Sequence, residues 1–320
     1  MLSRERVIQT ILHKNTDRMP IYGWLFNDEF KPKLIEAFGS MEAFEDKYEF
    51  DLVHLFPSFG SVNEAELERQ RNGENISVEL LLEIPLTDPD TCDYKSIKDD
   101  ICHYKEKRGR FAYIQTPGYF ECFNGPLGIE EHLMDLLLHP DEIAELYEKQ
   151  YNWTKKYIDN VLELGVDMIH LSDDWGAQNS LLFSPTVYKE LIYPFHKKTV
   201  EYIKKKGAFA SLHSDGNIMS VLPDIVDIGY DVIHPYQESA GMKFDVYKEK
   251  YMDKFTVMGG LDVQTTLGFG DLKRLEADIK RIISMFKEKG LILCTTHMVQ
   301  PHCSVEELVF AYELIKTDNR

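Results

Sequence analysis

The sequence is poor in the features that mark several protein classes. None of its apolar runs approaches the roughly 20 residues that would span a bilayer, so no membrane partner is expected. The opening residues, Met1-Leu2-Ser3-Arg4-Glu5-Arg6, lead into an amphipathic pattern and lack the apolar core of a signal peptide, which predicts a cytoplasmic protein. Positive charge is in short supply. Thirty-six Lys and Arg against 54 Asp and Glu leave a formal net charge of −18 over 320 residues. Phosphate backbones require clustered cations, so nucleic acid is excluded as the expected partner. A polyanionic substrate would also need a locally basic mouth. Cysteine is scarce, odd in number and scattered (Cys92, Cys102, Cys122, Cys294, Cys303), with no Cys-x-x-Cys pair. That usage suits reduced thiols and excludes a disulfide framework. No low-complexity segment or linker interrupts the chain, so residues 1–320 read as one domain.

What is present is a repeated strand–helix unit. Short apolar runs occur at Asp167–Leu171, Ala208–Leu212, Asp231–His234, Phe255–Met258 and Leu291–Cys294, each too short for a helix. Their near-continuous apolar order fits strands buried on both faces. Earlier candidates are Ile21–Phe26, Leu52–Phe56 and Phe111–Gln115. Helical patterns lie between them, at 141–164 before Gly165, at 186–206 before Gly207 and at 271–289 before Gly290. Eight strands alternating with helices predict an α/β fold, a (β/α)8 TIM-type barrel, with an open doubly wound sheet as the alternative. The exception is residues 57–110, read as a lid-like rim excursion after the second strand, since long insertions in compact domains are commonly functional.

A parallel barrel aims every strand's C-terminal end at one face. Five consecutive strand ends are loaded there: Ser172-Asp173-Asp174-Trp175-Gly176-Ala177-Gln178, His213-Ser214-Asp215, Pro235-Tyr236-Gln237-Glu238, Gly259-Gly260-Leu261-Asp262 and Thr295-Thr296-His297 through Gln300 to His302-Cys303. His213 and Asp215, spaced i, i+2 on an extended chain, point the same way. With His297 from the last strand they make two imidazoles and a carboxylate, the donor set of a catalytic zinc site with an open position. The competing reading is a set of hydrogen-bonded polar residues without metal. Asp173 can equally be a cap, and Asp215-Gly216-Asn217 a turn into a helix. His170 and His234, inside strands, read as core histidines, and Cys303 is a spare ligand candidate. Asp173, Glu238 and Asp262 are the candidate catalytic groups. Trp24, Asp174, Gln178, Gln237 and Gln300 are the candidate substrate contacts.

These same residues carry a family resemblance. His213-Ser-Asp-Gly-Asn-Ile, the run at 235–238, Gly259-Gly-Leu-Asp-Val-Gln264, the His297 segment and Asp173-Asp-Trp-Gly-Ala-Gln, followed by Ser184-Pro185 and Tyr193-Pro194, resemble the uroporphyrinogen decarboxylase superfamily in order through most of residues 1–316. Within it the chain looks most like the corrinoid-dependent methyltransferase branch. The resemblance implies a barrel, a strand-end site, often one zinc ion, and methyl transfer between a small substrate and a cobalamin protein. True decarboxylases hold substrate carboxylates with arginines of a Pro-x-Trp-x-Met-Arg-Gln-Ala-Gly-Arg motif. Here Leu25 and Glu29 stand at those positions, and Ser58 stands where the decarboxylase aspartate would. A carboxylate in place of a guanidinium reverses the sign of the interaction. The thiol-methylating branch binds zinc with His-x-Cys and a distant Cys. Here His213, Asp215 and His297 occupy those positions, each itself competent for zinc. Harder N/O ligation tilts the expectation toward demethylation at oxygen or nitrogen. No Asp-x-His-x-x-Gly cobalamin signature occurs, so the corrinoid is expected on a separate protein. The alternatives are a metal-free decarboxylase or lyase for a smaller carboxylated substrate, and a non-catalytic ligand-binding barrel.

Overall fold

The computed structural model of the chain describes residues 1–71 and 75–319. Its apolar runs form seven strands: β1 (Leu52–Leu55), β2 (Phe111–Pro117), β3 (Met168–Ser172), β4 (Phe209–His213), β5 (Val232–His234), β6 (Thr256–Leu261) and β7 (Leu291–Thr295). All pair in parallel and in chain order. Nearly every residue in them is buried, because helices cover the outer face and side chains fill the inner one. The register lines Pro117, Ser172, His213 and His234 up in one row across the strand ends. That row sets the floor of the candidate site.

The covering helices include α1 (Ser3–Ile11), α2 (Phe120–Leu127), α3 (Pro140–Glu163), α4 (Tyr193–Lys205), α5 (Leu272–Met285) and α6 (Val305–Asp318). Helix α3 buries Ile143, Leu146, Tyr147, Gln150, Trp153, Tyr157 and Val161, a stripe at helical spacing that faces the sheet. Asp271 and Ser304 cap α5 and α6 by accepting from the backbone of Arg274 and Glu307. The helical pattern at 186–206 contains a widened π turn at Tyr188–Ile192 before α4 resumes. Pro194 explains the break: it has no N–H, and its ring would clash with a continuous preceding turn.

The expected strand Ile21–Phe26 is present only as an isolated parallel bridge between Ile21 and Leu293. Residues 20–22 still link the two edge strands, since Leu293 N–H donates to Pro20, Tyr22 N–H to Leu293, and Asp51 N–H to Ile21. A regular ladder fails for local reasons. Ile21 N–H is taken by the Asp51 carboxylate at 2.8 Å and Trp24 N–H by the Thr295 hydroxyl at 2.9 Å. Asp51 is fully buried and also holds Arg6 at 2.6 Å and Arg18 at 2.7 Å, pinning α1 under the sheet.

The excursion at 57–110 differs from a covering lid. Its helices at Val78–Glu83 and Lys95–Asp100 bury Val78, Leu81 and Ile97. Lys149 of α3 donates to the carbonyls of Leu82 and Ile84, and Trp153 donates to Thr87. Much of the segment is therefore part of the outer helix layer, bound along α3, and its first turn, 56–60, is what reaches the mouth. Among the described residues no helix is long and apolar enough to cross a membrane.

Candidate functional site

Four imidazoles, His54, His170, His213 and His234, line the sheet interior around Trp24. Trp24 stacks on His234 with ring centroids 4.2 Å apart and planes 19° apart. Its indole N–H donates to the Tyr113 hydroxyl at 3.0 Å. Burial pushes the pKa of all four imidazoles down, that of His213 to about 3, with His297 adding to the effect there. They are neutral at pH 7.

Neutral imidazoles in a hydrogen-bonded chain have assignable protons. His234 Nε2 lies 3.2 Å from the Thr295 carbonyl, which can only accept, so Nε2 carries the hydrogen. His234 Nδ1 is then a bare acceptor, and His213 Nδ1, 2.8 Å away, must donate to it. The lone pair of His213 is thereby placed on Nε2, which faces the Asp174 carboxylate at 3.7 Å. A lone pair facing a carboxylate oxygen is unfavourable unless a cation stands nearby. Fixing one tautomer through the other ring nitrogen is how proteins prepare a histidine to bind metal.

The loop that carries Asp215 is locked to the loop after β3. Trp175 N–H donates to the Ser214 hydroxyl, Asn217 N–H to the Ala177 carbonyl, and Asp215 N–H to Asp174 at 2.8 Å. The backbones approach so closely at Gly216 (φ +76°) that a Cβ there would sit 2.5 Å from Gly176. Only glycine fits. Gln237 accepts from Gly216 N–H at 2.9 Å, so this buried amide braces the loop.

One donor atom each from His213, Asp215 and His297 falls within 4.8 Å of the others. His297 Nε2 is 3.9 Å from Asp215 Oδ2, and Asp215 Oδ1 is buried with no hydrogen-bond partner. Burial lowers the pKa of His297, and burial together with Asp174 and Glu121 pushes Asp215 up to about 7. Two neutral imidazoles, an orphaned carboxylate oxygen and crowded negative charge fit a divalent cation such as zinc.

The other sequence candidates disperse. Asp173 turns outward to the helices: its carboxylate takes His196 of α4 at 2.7 Å, the Trp175 indole at 3.0 Å and Glu121 N–H at 2.7 Å. Burial opposes its ionisation, but the His196 bond and charge hold its pKa down. It orders the rim and does not face the cluster. Glu238 pairs with Arg281, and Asp262 accepts from the N–H groups of Gln264 and Thr265. Both line a different cavity, of about 510 Å³, walled by α5. Of the three expected catalytic groups, Asp173 thus lies within the rim's hydrogen-bond network, and Glu238 and Asp262 lie in that second cavity. Gln178 donates to Ser239 and Gln300 to Met298, near the rim. Cys303 is buried against the Ser304 carbonyl and does not join the cluster.

Glu121, on α2, was not among the candidates. It accepts from the Ser172 hydroxyl at 2.9 Å, and burial followed by the charges of Asp174 and Asp173 pushes its pKa up to about 7. Its signal is Pro117-Gly118-Tyr-Phe-Glu121, just beyond β2, where an ionisable side chain follows a strand end. His54 was missed too, one residue inside an apolar run.

A parallel α/β barrel-type sheet with ionisable residues at its C-terminal strand ends defines an enzyme scaffold of the TIM type. The chain belongs to the uroporphyrinogen decarboxylase (URO-D) family, whose sequence pattern matches residues 124–317, more than half its length. Among solved structures it is similar to a methyltransferase from Methanosarcina mazei, with a TM-score of 0.73 at 14% identity over 98% of both chains. It is also similar to a B12-independent methionine synthase from Shewanella sp. W3-18-1 in complex with selenomethionine, with a TM-score of 0.53 at 12% identity over 95% of both chains. At such identities the likeness is one of fold. A comparison with curated proteins gave no match.

Proposed function

We propose that this barrel is a methyltransferase that moves a methyl group between a small substrate and a corrinoid carried by a separate protein, assisted by zinc held by His213, Asp215 and His297. The observation that carries the reading is the wired tautomer of His213, whose bare Nε2 converges with His297 and the orphaned Asp215 oxygen. The substitutions at Leu25 and Glu29 support it from the other side. Leu25 is packed in the core and Glu29 is exposed, so neither supplies the guanidinium that a polycarboxylate substrate needs.

In this reading zinc, when bound, supplies Lewis acidity that activates the heteroatom accepting or releasing the methyl group. The chain's own residues do the rest. His234 holds the Nδ1 proton of His213 and keeps the ligand's lone pair aimed at the cluster. Trp24 closes the floor and excludes water below it. Asp174 and Gln237 fix the loop on which Asp215 rides. The open end of the mouth receives the corrinoid partner.

The test is elemental analysis together with a transfer assay containing cob(I)alamin. The reading predicts one zinc per chain, lost in His213→Ala and Asp215→Ala, and methyl transfer that requires the corrinoid. Metal-free protein that consumes a carboxylic substrate without corrinoid would overturn it.

A further inference from the structure

Beside the histidine cluster lies a cavity of about 290 Å³ that none of the roles above uses. Its walls are Phe56, Phe59 and Pro117, and its polar groups include Gln115, Ser172 and Glu121. Neither lysine nor arginine is among its lining residues. It adjoins the cluster directly, because Ser172 is the register partner of His213.

Three observations specify what fits. Phe56 is 45% exposed and lines the cavity, so its ring is open to a ligand there. It is supported from behind by His54, with ring centroids 4.0 Å apart, and by Phe26 at 4.9 Å, so its position is braced. Across from the apolar walls, the Glu121 carboxyl accepts from the Ser172 hydroxyl at 2.9 Å and from the Asp174 backbone, partners that carry no positive charge. A carboxyl among aromatic side chains, with no lysine or arginine among the described lining residues, is complementary to a cation that also carries apolar surface. The carboxylate provides the charge and the ring face the cation–π attraction.

We infer that the cavity binds an organic ammonium group, held between Glu121 and the faces of Phe56 and Phe59. The ligand's apolar body lies along Pro117, and its far end extends toward His213, Asp215 and His297. An anionic ligand is rejected, since it would meet Glu121 with Asp174 behind it. This assigns a chemical class to the small substrate of the methyl-transfer reading and rests on that reading only for the ligand's role as substrate. Binding itself stands apart from it.

The test is binding to the protein as purified, measured at pH 8, where the Glu121 carboxyl is ionised, by calorimetry and by ligand-observed NMR without turnover. The probes are N,N-dimethylethanolammonium, its neutral isostere 3-methylbutan-1-ol, and the anion 3-methylbutanoate. One desolvated charge pair with an aromatic contact predicts that the cation binds about tenfold or more tightly than the alcohol, with no binding of the anion. Glu121→Gln keeps the Ser172 bond and the shape, so it should abolish the preference while the melting temperature stays within a few degrees. Phe56→Ala should weaken the cation several-fold and is remote enough from the core to fold. Equal affinity for cation and alcohol, a preference that survives Glu121→Gln, or tighter binding of the anion would each overturn the inference. Because no zinc or corrinoid is needed, a chain that proves inactive in methyl transfer would leave this result standing, and the converse holds as well.

Discussion

Replacing His234 with phenylalanine isolates the proton wiring beneath the proposed metal site. The phenyl ring retains the stack on Trp24, yet it removes both the donor to Thr295 and the acceptor for His213. Left alone, His213 would bury an Nδ1–H with no partner, at a cost of about 1–3 kcal/mol. It escapes that cost by moving its proton to Nε2, where Asp174 at 3.7 Å can accept through a small shift. That tautomer keeps its lone pair on Nδ1, facing away from the cluster, so metal binding through Nε2 must first reverse it. Loss of an orienting partner typically lowers metal affinity about 10–100-fold, or roughly 1.4–2.8 kcal/mol. The assay is zinc competition with a chromogenic chelator at pH 7. His54→Phe is the control, since His54 also packs on Trp24 (5.1 Å) but hydrogen-bonds to Gln115. The expected result is a 10–100-fold loss in His234→Phe and little change in His54→Phe. Unchanged affinity in His234→Phe, or equal losses in both, would refute the wiring.

Three further outcomes follow from the same structure. Asp51→Asn strips the negative charge from between Arg6 and Arg18 in the buried base and should lower stability by about 3–5 kcal/mol in chemical denaturation; a loss under 1 kcal/mol would contradict the assigned hub. Glu121 has its pKa raised from 4.5 to about 7 in the folded chain, so the folded state holds a proton that the unfolded state releases between those values. Stability of chelator-treated protein should therefore fall as pH rises from about 4.5 to 7, by up to about 3 kcal/mol, with the slope reduced in Glu121→Gln; identical pH profiles for the two proteins would count against it. Gly216→Ala drives a Cβ into Gly176 at a left-handed φ, so it should lower zinc affinity at least tenfold while far-ultraviolet circular dichroism shows the fold intact; wild-type affinity would mean the interlocked loops do not position Asp215.

The strands were legible because each is an apolar run too short for a helix, and β3, β4 and β7 lie within a residue of their expected limits. That Ile21–Phe26 would fail to form a regular strand was not, because the N–H groups of Ile21 and Trp24 go to side chains 30 and 271 residues away, which no local pattern contains. The excursion was visible as an interruption. Its docking along α3 depends on Trp153 and Lys149, whose sequence context is that of an ordinary amphipathic helix. The convergence of His213, Asp215 and His297 was legible from strand-end position alone. The orienting role of His234 was not, since a histidine inside a strand reads the same whether it is merely packed or wired to a neighbour. The directions taken by Asp173, Glu238 and Asp262 were not legible either. A polar residue after a strand can turn outward, and the sequence carries no record of which way the loop bends.

The account depends most on which atoms surround a metal at the barrel mouth, and X-ray absorption at the zinc edge reads those atoms directly. The prediction is a first shell of nitrogen and oxygen at about 2.0–2.1 Å, with the outer-shell scattering of two imidazoles and no sulfur. In Asp215→Ala that shell should lose an oxygen or empty altogether. A sulfur shell near 2.3 Å, or zinc whose surroundings are unchanged by loss of Asp215, would contradict the site described here.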